Sequence, residues 1–235
     1  MKPIQAQKHS IRDWAIDDRP REKLLSKTPI ALSNSELIAI LINDGNQGKS
    51  AVDLGKEIMS LGGNSLEALG RLGVKDLMKI KGIGAAKAVR IAAALELGRR
   101  RQAGKNPEKT PVKGSQDIGG YLQALYKDLL HEEFGVIYLN KANKINCMEI
   151  VSKGGVTGTI ADPRVILKRA LEENATSLIL FHNHPSGNLE PSLSDKEITT
   201  KINRAATYLD IRVLDHIIVS REGYYSFADR GLIKL

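Results

Sequence analysis

Apolar residues recur at helical spacing along the N-terminal part of the chain and at strand spacing through much of the C-terminal part, which predicts helices followed by an α/β alternation. After an irregular lead-in, in which Trp14 is the expected anchor, Arg19-Pro-Arg-Glu-Lys-Leu-Leu opens a short helix. Ser33 and Glu36 have the spacing of a capping box at the head of a second helix. A third helix starts at Ser50, a fourth spans Leu66 to Leu72, and a fifth ends at Ile80. Gly82-Ile-Gly84 then turns the chain into an Ala-rich helix, where permissive backbone angles are needed. From Arg99 the periodicity is lost and Pro, Gly and charge gather. The expected division is a helical domain at 1–104, a linker at 105–114 and a second domain at 115–235.

The second domain opens with a helix at 115–126, carrying Ile118, Leu122 and Leu125 at helical spacing. Strands at 133–140 and 145–152 flank the turn at Lys141-Ala-Asn-Lys, a hairpin that makes the sheet mixed. Asp162 as N-cap and Pro163 in the first turn announce a further helix. A strand at 177–182, a helix from Ser194 to about Leu209, a strand at 211–219 and an end piece at Tyr224-Tyr-Ser-Phe complete the order.

The strand at 177–182 carries the chemistry. It delivers His182 and His184 two residues apart, so an extended backbone presents both rings on one face. Pro185, Ser186 and Gly187 break the strand, and the helical pattern that follows brings Asp195 within reach of both imidazoles. Two imidazoles and one carboxylate are a usual ligand set for one catalytic zinc with an open fourth position. Ser192 and Asp195 also fit a capping box, and one carboxylate can do both.

Composition narrows this picture. Cys147 is the single cysteine, which excludes a disulfide framework within the chain and leaves His, Asp and Glu to bind any metal. No apolar run approaches the roughly 18–20 residues of a membrane span, and the start lacks the apolar stretch of a signal peptide, so a cytoplasmic protein with no membrane partner is expected. The net charge of +8 is uneven: residues 1–110 carry 20 Lys and Arg against 12 Asp and Glu, whereas residues 111–235 carry 15 of each. The basic excess belongs to the helical half, which points to a polyanion.

Within that half, Gly48-Lys49-Ser50 suggests a phosphate loop, but Asn43 stands where that pattern needs its first glycine and no strand precedes it. The run from Val74 to Gly98 is a better candidate. It resembles the helix-hairpin-helix motif of DNA-repair proteins, which implies backbone contact without sequence reading. Lys79, Lys81, Gly82, Ile83, Gly84, Lys87 and Arg90 are the expected contacts with DNA phosphates. A structural hairpin with solvated lysines is the plain alternative, and Gly45 to Met59 is a candidate degenerate second copy.

The central motif, His182-x-His184-x7-Ser192-x2-Asp195, is similar to the JAMM (MPN+) zinc metallopeptidase signature. With Asn183-His-Pro-Ser-Gly187, Asp162-Pro-Arg164 and Asp215-His-Ile-Ile218, the chain resembles the RadC family. That resemblance implies an all-α helix-hairpin-helix domain joined to a mixed-sheet JAB/MPN (cytidine-deaminase-like) α-β-α domain. It also implies a DNA-associated zinc hydrolase, in a family with a historical DNA-repair label, in which zinc-activated water attacks an amide or isopeptide bond of a protein or peptide. His182, His184 and Asp195 would hold the metal and Ser192 would polarise the carbonyl. A glutamate ahead of an early strand would act as base: Glu133 is the first choice, with Glu132 and Glu149 as alternatives. Asp215 and His216 are expected to support the fold or the surroundings of the site rather than to ligate. A metal-dependent nuclease and a non-catalytic DNA-binding adaptor are the alternatives. Deaminase chemistry is excluded, because Cys147 has no partner for a Pro-Cys-x-x-Cys segment.

Overall fold

The computed structural model describes residues 11–103, 110–154 and 161–233. The chain divides into two compact units, Met1–Gly98 and Arg99–Leu235.

The first unit is helical. After 3-10 turns at Ile11–Asp13 and Ile16–Asp18 come α1 (Pro20–Ser26), α2 (Asn34–Ile42), α3 (Ala51–Leu61), α4 (Leu66–Leu69), α5 (Val74–Leu77) and the start of α6 (Ala85–Ala103). Both longer early helices begin in capping boxes. Ser33 Oγ accepts the Glu36 N–H at 3.2 Å while the Glu36 carboxylate accepts the Ser33 N–H at 2.7 Å, and Ser50 and Asp53 repeat the arrangement. Gly55 allows α3 to lie against the head of α2, since a Cβ there would meet the Ser35 carbonyl at 2.3 Å. Ile42, Leu54, Ile58, Leu69 and Leu77 are fully buried between the helices, each stabilising by about 1.5–3 kcal/mol, and Trp14 packs at the margin of this core. The fourth and fifth helices are shorter than the periodicity predicts, because both end in tight turns that press Leu69 and Leu77 inward.

The second unit has three layers. Its elements are α7 (Ser115–Tyr126), β1 (Glu133–Leu139), β2 (Ile145–Lys153), α8 (Pro163–Glu172), β3 (Ser177–Asn183), α9 (Leu193–Thr207), β4 (Arg212–Val219) and β5 (Tyr224–Ser226). The sheet order is β2-β1-β3-β4-β5, with β3 and β4 parallel and the other neighbours antiparallel. The helical N-terminal region followed by this mixed sheet with helices is the expected fold class. Of the expected linker 105–114, residues 105–109 lie outside the described residues; Val112 is buried and donates its N–H to the Asn143 carbonyl at 2.8 Å. Among the described residues no helix is long and apolar enough to cross a membrane.

Side-chain alternation sorts the sheet into two faces. Phe134, Val136, Tyr138, Leu178 and Leu180 pack with α8 and α9, whereas Ile137, Leu139, Ile179 and Phe181 pack with α7. Central β3 is buried at every position, so it holds the side chains at its C-terminal end rigidly.

Candidate metal centre

His182 occupies the last turnward position of β3 on the α8/α9 face. It is fully buried and stacks on Phe134 of β1. His184 lies just past the strand, with its N–H donated to the Val219 carbonyl at 2.8 Å, which prolongs the β3–β4 pairing by one step. A turn closed by the Gly187 N–H on the His184 carbonyl, with Gly187 at φ +91°, folds the loop back over the ring. The Asn188 carbonyl then receives the His184 Nδ1–H at 2.6 Å. A carbonyl only accepts, so in the neutral ring His184 Nε2 carries the lone pair.

Asp195 comes from the first turn of α9. Its Oδ2 accepts the Ser192 N–H and hydroxyl, both at 2.7 Å, while Ser192 Oγ accepts the Asp195 N–H at 3.1 Å. The expected capping box is therefore present, and it aims the carboxylate. Asp195 Oδ1 lies 3.3 Å from His182 Nε2, and Oδ2 lies 3.7 Å from His184 Nε2. The two Nε2 atoms are 2.9 Å apart. Burial pushes the Asp195 carboxyl up, but the His182 ring beside it and the Ser192 donors outweigh this and hold it well below the usual carboxylate range. One ligand atom from each of His182, His184 and Asp195 lies within 4.8 Å of the others, and the cluster could hold a metal ion. The donor set fits: an ionised carboxylate and a lone pair on His184 converge with the Nε2 of His182.

Behind His182 the contacts continue. Its Nδ1 lies 2.8 Å from His216 Nε2, and His216 Nδ1 lies 2.5 Å from Thr199 Oγ1. Burial pushes the His216 imidazole well below its ordinary range, so the ring is neutral. Asp215 faces elsewhere: its carboxylate accepts the N–H groups of His216 and Ala228 and the Ser226 hydroxyl. His216 therefore touches the metal cluster through His182. Thr199 carried no signal in the sequence beyond its spacing of four from Asp195 on an expected helix, and it gains a role only because β4 brings His216 against it.

The remaining expected site residues separate. Ser192 is at the cluster, but its hydroxyl hydrogen is already given to Asp195, so polarising a carbonyl would require exchanging that bond. Glu133 starts β1 and pairs with Lys153 at 3.0 Å. Its parity is that of Ile137 and Leu139, and its charge is felt by Tyr126 of α7, so it lies on the face away from His182. Glu132 has the opposite parity. Its carbonyl accepts the Gly154 N–H at 2.7 Å, extending the β1–β2 pairing and therefore the alternation by one residue. The β1–β3 pairing ends at Phe134 and His182, and beyond it the Asn183 side chain bonds the Glu133 N–H at 2.8 Å and the His131 carbonyl at 3.0 Å, so Glu132 stands just ahead of β1. Glu149 is held by Arg169 at 3.3 Å and by the Tyr138 hydroxyl at 3.2 Å, further down the sheet.

In the helical unit, Lys81, Gly82, Gly84 and Arg90 are exposed, with Gly82 at φ +102° in the hairpin turn. Two expected contacts are committed elsewhere. Ile83 is a core residue, 3% exposed, whose N–H goes to the Ile80 carbonyl, so neither its side chain nor its amide is available to a phosphate. Lys87 donates to the carbonyls of Asp44 at 2.7 Å and Gly45 at 3.1 Å, tying the hairpin to the 43–46 turn. Lys79 is exposed and ion-paired with Asp76 at 2.7 Å.

Comparison with known proteins places this geometry. Residues 112–232 match the family model described as RadC-like JAB domain, and residues 11–89 match that described as UPF0758 N-terminal. A UPF0758 protein of Flavobacterium johnsoniae is 48% identical, covering 95% of this chain and 97% of the relative. One from Porphyromonas gingivalis is 40% identical over 95% of this chain and 100% of its own, and one from Nitrosococcus oceani is 41% identical over 95% and 100%.

Proposed function

This chain belongs to the RadC-like JAB (UPF0758) family, and on that premise we propose that it is a zinc-dependent hydrolase of amide or isopeptide bonds, associated with DNA through its helical unit. The observation that carries the reading is the convergence of His182 Nε2, His184 Nε2 and the Asp195 carboxylate within 4.8 Å at the end of a rigid strand. Three protein ligands leave a fourth position open, whereas a structural zinc takes four. When bound, zinc would supply a Lewis acid that polarises a carbonyl and brings the pKa of a coordinated water toward neutrality.

The chain's own residues do the rest. His182, His184 and Asp195 hold the cation, and Ser192 fixes the second oxygen of Asp195. We place the general base at Glu132 rather than Glu133, since Glu133 has the parity of the α7 face and alternation continued one residue ahead of β1 would turn Glu132 toward the histidines. It would take a proton from the attacking water and pass it to the leaving nitrogen. In the helical unit, Lys81, Gly82, Gly84 and Arg90 would meet the DNA backbone, with Lys79 contributing through the same exposed turn.

The test is to incubate zinc-loaded wild type and Glu132→Gln with isopeptide-linked substrates and with labelled single- and double-stranded DNA. Cleavage of an amide by wild type alone supports the proposal. Cleavage of DNA with amides intact would move the reaction to phosphodiesters. No cleavage of either class with zinc bound would leave a DNA-binding adaptor.

A further inference from the structure

We propose that His216 and Thr199 are positioning residues: they form a one-way hydrogen-bond chain, anchored on the main-chain carbonyl of Asp195, that locks His182 in the tautomer presenting the Nε2 lone pair to the cation. The inference rests on the reading of His182 as a ligand.

The direction of the chain follows from its far end. Thr199 Oγ1 lies 2.5 Å from the Asp195 carbonyl oxygen and 2.5 Å from His216 Nδ1. The carbonyl can only accept, so the single hydroxyl hydrogen goes to it. The hydroxyl oxygen must then accept from His216, which puts that ring's one N–H on Nδ1. His216 is fully buried, and among the described residues its ring meets Thr199, His182 and the rings of Phe134 and Phe227, with the Asp215 carboxylate on its backbone N–H and not on the imidazole. A neutral imidazole with Nδ1–H has a lone pair on Nε2. His182 Nδ1, 2.8 Å away, must therefore donate to it. In the neutral ring, the form that binds a cation, that leaves the Nε2 of His182 as an acceptor.

The consequence appears at the cluster. With both rings neutral, His182 Nε2 and His184 Nε2 are both acceptors, the second because Asn188 takes the Nδ1–H of His184, and they face each other at 2.9 Å beside the Asp195 carboxylate. Lone pairs so placed repel unless a cation stands among them. Asp195 acts twice, its carboxylate facing the cation and its carbonyl setting the polarity of the chain. This is possible because residues four apart on α9 bring the Thr199 hydroxyl back onto the Asp195 carbonyl. Orienting hydrogen bonds of this kind are worth roughly ten- to a hundredfold in metal affinity.

Long-range proton–nitrogen correlation spectra of the 15N-labelled, metal-free protein report the tautomer of each imidazole directly. We expect His182 and His216 both protonated on Nδ1. Zn2+ affinity is then measured by competition with a chromophoric chelator for wild type, Thr199→Val and Thr199→Ser. Thr199→Val keeps the side-chain shape and removes the hydroxyl; it should mix the His182 tautomers and weaken Zn2+ binding roughly ten- to a hundredfold. Thr199→Ser should restore both. A purely structural role would lower the melting temperature of Thr199→Val without moving its tautomer signals, and that outcome overturns the proposal. So does wild-type His182 protonated on Nε2, which decides the matter even if Thr199→Val does not fold. Failure of wild type to take up Zn2+ with His182 on Nδ1 sinks the metal reading and leaves the chain standing.

Discussion

Phe134 and His182 stack with ring centroids 5.9 Å apart and planes inclined by only 11°, because they are cross-strand partners on one face of the sheet. Along β1, Glu133 has the parity of the residues on the α7 face, and alternation continued one residue ahead of the strand would turn Glu132 to the face of Phe134 and His182.

On an amide substrate that wild type cleaves, Glu132→Gln should therefore lower kcat by roughly 10²–10⁴-fold while Zn2+ affinity stays within about threefold of wild type. Glu133→Gln should stay within a few-fold in both. The reverse ranking in a side-by-side steady-state assay would return the base to Glu133.

The α7 face offers its own reporter of Glu133. Burial first, then the Glu133 charge, push the Tyr126 phenol from 10 to about 12. Its folded value lies above the unfolded one, so its contribution to stability is full below about pH 10 and is lost as pH rises toward about 12. Tyr126→Phe should flatten that alkaline loss in denaturant titrations. Glu133→Gln should lower the Tyr126 value, read from its ring carbon shifts; an unchanged value would place Glu133 elsewhere.

Ser192 joins helix capping to the cluster. Ser192→Ala should cost about 1 kcal/mol in urea unfolding of the metal-free protein, as a lost N-cap does. It should also weaken Zn2+ binding by roughly tenfold, because Asp195 loses the donor that aims it. Asp195→Asn should weaken binding more than Ser192→Ala, and equal affinities in chelator competition would contradict this ordering.

The basic residues of the helical unit should divide by their partners. Lys81→Ala and Arg90→Ala should each weaken DNA binding and make the slope of log K against log salt shallower by about one. Lys87→Met should instead destabilise the fold by about 1–2 kcal/mol, since its ammonium joins two carbonyls of the 43–46 turn. Binding that ignores salt, or fluorescence anisotropy that ranks Lys87 with Lys81, would remove the proposed interface.

Much of this was readable in one dimension. Capping residues act on backbone groups within one turn, so Ser33 with Glu36, Asp162 with Pro163, and Ser192 with Asp195 mark their helices from spacing alone. The spacing of His182 and His184 likewise puts both rings on one face of a strand whatever the sheet around it, and the sequence also marked Gly82 as a turn needing a glycine. Other assignments depend on the partner strand or the packed neighbour. Glu132 and Glu133 are adjacent carboxylates until the start of β1 at Glu133 and the Phe134–His182 pairing tell them apart. Lys87 resembles Lys81 until the loop it ties down comes within reach. His216 joins the site only through contacts with residues 34 and 17 positions away in sequence. The sequence by itself determined the elements and the local ligand pattern, because periodicity and capping act over a few residues. Only the tertiary structure decided which side chains face the cation, which hold it from behind and which merely fasten the fold, because those roles rest on register and hydrogen-bond direction between distant segments.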